Sequence, residues 1–146
     1  MDLEEKIELA DKWIYEANQL VVFTGAGIST DSGLPDYRGP DGVWPRRDKG
    51  LLPPKSPQWD QVKPNQGHYL IVELLKFGKL DYLISQNVDG LHAKSGIPFD
   101  KLAELHGNLY FMKCLDCGKK LTFEEAGWDK KKLGQGYRTG RIRKNQ

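Results

Sequence analysis

Val21-Val22-Phe23-Thr24-Gly25-Ala26-Gly27-Ile28-Ser29 is the stretch that decides the fold. Its apolar, β-prone first half reads as a buried strand, and the small-residue turn behind it lets backbone amides come close to a phosphate. Gly25 and Gly27 lack a Cβ, so both tolerate backbone angles and ligand distances that other residues do not. A Gly-x-Gly turn also serves simply to make a tight bend, so the surrounding residues carry the argument. A Walker A loop closes on Gly-Lys-Ser/Thr, and no lysine follows here. A dehydrogenase fingerprint needs a third glycine where Thr30 stands, and an acidic residue closing a second strand about 20 residues later. Pro45-Arg46-Arg47-Asp48-Lys49-Gly50 is no strand. Hydride transfer on a Rossmann turn is therefore disfavoured.

The chain has 146 residues, the length of one domain, and 38% of them are hydrophobic, as in a soluble protein. No apolar run approaches the ~20 residues that span a bilayer. The first residues, Met1-Asp2-Leu3-Glu4-Glu5-Lys6, are acidic and lack the apolar core of a signal peptide. A cytoplasmic location is the expectation, nuclear if the source is eukaryotic, with no membrane partner. Two cysteines do not make a secreted disulfide scaffold. Lys130 to Gln146 is basic throughout, which reads as a solvated loop or tail rather than a nucleic-acid patch.

Leu3, Ile7, Ala10, Ile14 and Ala17 recur at three- and four-residue spacing and predict an amphipathic helix over 3–18. A strand at Leu20 to Thr24 follows. Residues 31–64 are rich in Gly, Pro and Asp, a long loop region with one short helix at most. Asn65 caps a second helix with Leu70, Leu74 and Phe77 on its inner face, and Gly78 ends it. Asp81 to Ser85 reads as a second buried strand, with Gln86 to His92 as the polar turn at its end. Lys101 to Leu105 reads as a short strand or one helical turn. Leu109 to Lys113 and Lys120 to Phe123 read as strands flanking Cys114-Leu115-Asp116-Cys117. The order implies an α/β nucleotide-binding architecture with ligands at the strands' carboxyl ends.

Four motifs together resemble the sirtuins, the NAD-dependent protein deacylases. They are Gly25-Ala26-Gly27-Ile28-Ser29-Thr30, Gly33-Leu34-Pro35-Asp36-Tyr37-Arg38-Gly39-Pro40, Gln86-Asn87-Val88-Asp89-Gly90-Leu91-His92 and Glu104-Leu105-His106-Gly107-Asn108. Gly39-Pro40-Asp41-Gly42-Val43-Trp44 resembles the branch with the nuclear, chromatin-acting members. The resemblance covers roughly residues 8–125. It implies a Rossmann-like NAD-binding domain, incomplete here, over 1–110, with a cofactor loop at 31–64. A small zinc-ribbon module is implied as an insertion, its first half at 111–146, in a chain that stops short of the second half.

The same resemblance assigns roles. The amides around Gly25, Ala26 and Gly27 lie by the pyrophosphate, with Ser29 also on the cofactor. Asp36, Tyr37 and Arg38 belong to a loop that closes over the nicotinamide ribose; many members carry Phe where Tyr37 stands. Asn87 contacts the ribose, Asp89 holds the nicotinamide amide and Gln86 lies nearby. His106 is the general base, since an imidazole titrating near pH ~6.5 can accept a ribose hydroxyl proton at physiological pH. His68 and His92 read as structural hydrogen-bonding residues, His92 helping to fix the Asn87–Asp89 turn. The implied reaction moves an acyl group from the lysine of a protein substrate to ADP-ribose and releases nicotinamide. Mono-ADP-ribosyl transfer uses the same activation with another nucleophile, and a non-catalytic NAD- or zinc-binding module is the third reading.

Cys114 and Cys117 have the spacing of half a zinc knuckle, and tetrahedral structural zinc needs four ligands. Neither cysteine nor histidine follows Cys117. A thioredoxin-like redox pair is disfavoured because the turn enters a strand rather than a helix and lacks the usual Trp and Pro. By resemblance a second pair completes the zinc site further along.

Overall fold

The computed structural model describes residues 1–58, 61–114 and 116–127, in two compact units, Met1–Gly107 and Asn108 onward. The basic run after Lys130 lies outside the described residues.

In the first unit α1 spans Leu3–Glu16 and begins at a capping box. Glu5 N–H donates to Asp2 Oδ1 at 2.9 Å, and Asp2 N–H donates to Glu5 Oε2 at 2.8 Å. No residue of α1 is fully buried: of its predicted apolar stripe Leu3 and Ile7 are exposed and Ile14 is half-buried. β1 (Leu20–Thr24) matches its predicted bounds and runs into a 3-10 turn, Ala26–Ser32. α2 (Val43–Asp48) is the short helix of the long loop region.

α3 (Gln66–Lys76) is capped by Asn65, whose Oδ1 accepts from Gly67 N–H at 2.9 Å. Its inner face differs from the predicted one. His68, Ile71 and Val72 are buried, whereas Leu70 and Phe77 are 56% and 78% exposed. Leu74 alone of the predicted three packs against the core. The four- and three-residue spacing of Leu70, Leu74 and Phe77 marks a real stripe, but the sheet meets the adjacent one.

β2 (Leu80–Ser85) pairs parallel with β1 on one side and with β3 (Leu102–Glu104) on the other. The ambiguous segment at 101–105 is thus a strand, preceded by a 3-10 turn at Phe99–Lys101. The predicted polar turn after β2 contains a further helix, α4 (Leu91–Ser95). Leu83, Leu80, Leu102, Ile71, Val72 and Ile97 form the core, with Val22 and Ile28 packed against it. Val21 and Phe23, the alternate residues of β1, stay 53% and 58% exposed. One face of this parallel sheet is therefore covered and the other open among the described residues.

In the second unit β4 (Phe111–Lys113) and β5 (Lys120–Thr122) pair antiparallel around the cysteine turn. Cys114 N–H donates to Lys119 C=O and Gly118 N–H to Cys114 C=O, both at 2.9 Å.

Candidate functional site

Parallel pairing sends the ends of all three strands to one edge. Thr24 lies opposite Ser85, and Ser85 opposite Glu104, so the last paired residues stand in one row across the sheet. Gly25, Gln86 and Leu105 each leave that row, which brings three distant motifs together. Gln86 N–H donates to Thr24 C=O at 3.0 Å and Leu105 N–H to Ser85 C=O at 2.9 Å, extending the ladder by one step on each side.

The center of the site is a polar chain from β1 to the loop after β2. Ser29 Oγ donates to Asp89 Oδ2 at 2.7 Å. Asn87 Nδ2 donates to Gly25 C=O at 3.0 Å and to Ser29 Oγ at 3.2 Å. Asp89 Oδ1 accepts from Leu91 N–H at 2.9 Å. Ser29 and Asp89 are buried and Asn87 half-buried, so these bonds are made away from bulk water, where an unmade one is costly. Gly90, at φ 69°, turns the backbone between Asp89 and α4, a conformation that a side chain would strain.

The glycine turn itself is open. Its first internal bond is Ile28 N–H to Gly25 C=O at 3.2 Å, ahead of which come the N–H groups of Ala26 and Gly27. A Cβ at Gly27 would meet nothing within 4 Å among the described residues, and one at Gly25 would meet Gln86 Nε2 at 3.5 Å. Packing within the fold therefore does not demand glycine at position 27, and a side chain there would fill the space beside the amides. His106 is exposed, two residues beyond the end of β3.

Asp36, Tyr37 and Arg38 bond within their own loop. Gly39 N–H donates to Asp36 Oδ2 at 3.0 Å, Val43 N–H to Asp36 C=O and Trp44 N–H to Tyr37 C=O, both at 3.0 Å. The Tyr37 and Trp44 rings are 5.8 Å apart, and the Arg38 guanidinium lies 4.9 Å from the Trp44 ring centre. The structure thus brings Gly25, Ser29, Gln86, Asn87 and Asp89 together and gathers Asp36, Tyr37 and Arg38 as a second cluster.

Four linking residues, Asn65, Thr24, His92 and His68, lie behind the site. Asn65 Nδ2 donates to Ile28 C=O at 2.7 Å and to Ser32 Oγ at 3.0 Å, tying the 3-10 turn to α3. Thr24 Oγ1 and His92 Nε2 are 2.9 Å apart, and the His92 ring lies 4.8 Å from that of His68. Burial pushes the His92 imidazole down to about 4, with His68 adding to the effect and Asp89 opposing it. Burial also lowers His68, again against Asp89. Asn65 was legible in sequence as a cap, but its hold on the turn 37 residues away and the role of Thr24 left no local signal.

At the cysteine turn, the backbone N–H groups of Cys117 and then Asp116 hold the Cys114 thiol below its ordinary range, the Cys117 thiol adding to them. Both thiols are free, and the described residues contain no group of three or more metal-ligating side chains.

Comparison with known proteins identifies the family. The model of the Sir2 family matches residues 52–139. The chain is 50% identical over 117 residues to an Arabidopsis thaliana protein named NAD-dependent protein deacetylase SRT1, covering 80% of this chain and 25% of that one. It is 42% identical over 122 residues to the Drosophila melanogaster NAD-dependent protein deacetylase Sirt6, covering 84% and 38%. A solved Sir2 enzyme superposes with a TM-score of 0.65 at 30% identity, over 96% of this chain and 62% of that one. The chain therefore spans a quarter to two fifths of the length of these two curated relatives.

Proposed function

The chain belongs to the Sir2 family, and from that premise we propose that it carries the nicotinamide-side half of an NAD-dependent protein-lysine deacetylase. The observation that carries this reading is the Ser29–Asp89–Asn87 chain at the carboxyl edge of the sheet, beside an open glycine turn. A dehydrogenase needs its cofactor held and returned. Here a buried carboxylate and a carboxamide stand where the polar end of a ligand enters, beside amides suited to a pyrophosphate.

The residues fit NAD in a simple division of labour. The Ala26 and Gly27 amides take the pyrophosphate, and Gly27 leaves the room it needs. Asp89 accepts from the nicotinamide amide while Ser29 and Leu91 hold its carboxylate in place. Asn87, fixed to Gly25 C=O, lies at the ribose. Bound NAD supplies a ribose carbon that becomes electrophilic when nicotinamide leaves. The acyl-lysine carbonyl oxygen would bond to that carbon as nicotinamide leaves, and His106 would take a proton from the ribose hydroxyl, a role supported by its exposure just beyond the end of β3. Asp36, Tyr37 and Arg38 form the loop over this end, and Gln86 borders it. The acyl-lysine of a protein is the second substrate, and the family's relatives named as NAD-dependent deacetylases support that choice.

The complete protein incubated with NAD and an acetyl-lysine peptide tests the reading by mass spectrometry. The expected products are free nicotinamide, acetylated ADP-ribose and deacetylated peptide. ADP-ribose attached to protein with the acetyl group still on lysine would overturn deacetylation in favour of ADP-ribosyl transfer.

Zinc belongs to the same proposal. The Cys114–Cys117 turn, closed by paired strands and with amides directed at sulfur, suits two of four thiolate ligands. Metal analysis of the complete protein should give one zinc per chain, and a folded, metal-free protein excludes it. A cytoplasmic or nuclear location is also proposed, supported by the unpaired cysteines.

A further inference from the structure

His68 and His92 do not enter the chemistry above, yet they lie between β1, the Asn65 cap of α3 and the connection that carries Asp89. Both are essentially excluded from solvent, at 0% and 2% exposure. Their rings meet at 4.8 Å with a 51° tilt. His92 reaches Thr24, the last residue of β1 and the one before the glycine turn. His68 accepts at Nδ1 from Asn65 N–H at 3.3 Å, and Asn65 in turn grips Ile28 and Ser32 of the 3-10 turn. Asp89 lies three residues before His92 on the same short connection, and Leu91 N–H, between them, binds its carboxylate. The contacts close a ring: Thr24, His92, His68, Asn65, the 3-10 turn with Ser29, and Asp89.

We propose that His92, seated on His68, is a positioning residue for cofactor binding: its bond to Thr24 fixes α4 against β1 and so holds the Asp89 carboxylate on Ser29. A buried imidazole needs partners for its ring nitrogens, and a neighbour along the chain would serve. Here the ring spans two segments 68 residues apart by a 2.9 Å hydrogen bond. Among the described residues, His68 Nε2 and His92 Nδ1 are buried without a hydrogen-bond partner, a cost that packing alone does not explain. His68 Nδ1 also lies 3.1 Å from Asn65 Oδ1, so the ring is tied to both the backbone and the side chain of that residue. Burial holds both imidazoles below their ordinary range, while the Asp89 carboxylate accepts from Ser29 and Leu91.

The inference rests on the nucleotide reading, and two measurements separate them. Thr24→Val, His92→Phe and the double variant are made in the full chain. Amide exchange at Leu91 is measured without ligand, and NAD affinity by calorimetry. Each single change should speed Leu91 exchange at least about tenfold and weaken NAD binding about fivefold or more. The double variant should be no worse than the weaker single, because one bond is lost once. Folded variants with native Leu91 protection and native NAD affinity would overturn the proposal even if they melt earlier. Additive losses would overturn it too. Where His92→Phe fails to fold, Thr24→Val, which keeps the side-chain shape, decides alone. An unsubstituted chain that binds no NAD would sink the functional reading, while Leu91 exchange still decides the positioning role.

Discussion

Ser29, Asn87 and Asp89 act as one unit because each supplies what the next lacks. The Ser29 hydroxyl donates to Asp89 and accepts from Asn87, so neither buried group is left unpaired. His106 stands apart from that unit, exposed at the end of β3. His106→Ala should therefore lower NAD-dependent deacetylation by about 100-fold or more, the usual scale for losing a general base. NAD affinity should stay within about twofold in calorimetry, since the pyrophosphate amides and Asp89 are untouched. Turnover that survives the substitution removes His106 from the proton transfer. The residue types of this unit were readable in the sequence as a glycine turn and an Asn-x-Asp after a strand. Their mutual bonds were not, because 58 residues separate Asn87 from Ser29 and no local pattern encodes that distance.

The loop from Asp36 to Trp44 shows how an element can be built around small residues. A Cβ on Gly42 would lie 2.7 Å from Asp36 Oδ1 and 2.9 Å from the backbone carbon of Tyr37. The carboxylate can swing away, but the backbone carbon cannot, and Gly42 N–H is also bonded to Gly39 C=O at 2.8 Å. Gly42→Ala should cost about 1–3 kcal/mol, the range for overpacking a tight site. It should also separate Trp44 from Tyr37 and Arg38, which Trp fluorescence reads as a change in emission. Unchanged emission and stability would show that the turn yields freely. α3 teaches a related lesson. Its helical period, cap and Gly78 stop were all visible in the sequence, yet the buried face is His68, Ile71 and Val72 with Leu74 beside them, and Leu70 and Phe77 stay exposed. A hydrophobic stripe says that a helix is amphipathic, while the sheet decides which edge of the stripe it covers.

At the scale of the whole molecule, the buried histidine pair makes stability depend on pH. The folded His92 holds its proton only below about 4, whereas an unfolded imidazole binds one near 6.5. Between those values the unfolded chain binds more protons, so stability rises with pH through that window and is lost as pH falls through it. His92 contributes up to about 3 kcal/mol of this loss at about 1.4 kcal/mol per pH unit, and His68 acts in the same direction. Urea midpoints measured from pH 8 to pH 4 should hold steady above about 6.5 and fall below it, and His92→Gln should flatten the slope. A midpoint independent of pH would mean that the pair is hydrated or protonated in the folded state. By itself the sequence determined the strand before the glycine turn, the capped helices, the cysteine turn and the family motifs, because periodicity, capping and short motifs are properties of neighbours along the chain. Tertiary structure alone decided which face of α3 is buried, that Thr24, Ser85 and Glu104 stand in one row, and that His68 and His92 meet beside Thr24. Parallel pairing joins segments about 60 residues apart in one case and about 20 in the other, and the contacts it creates are written in no single stretch of chain.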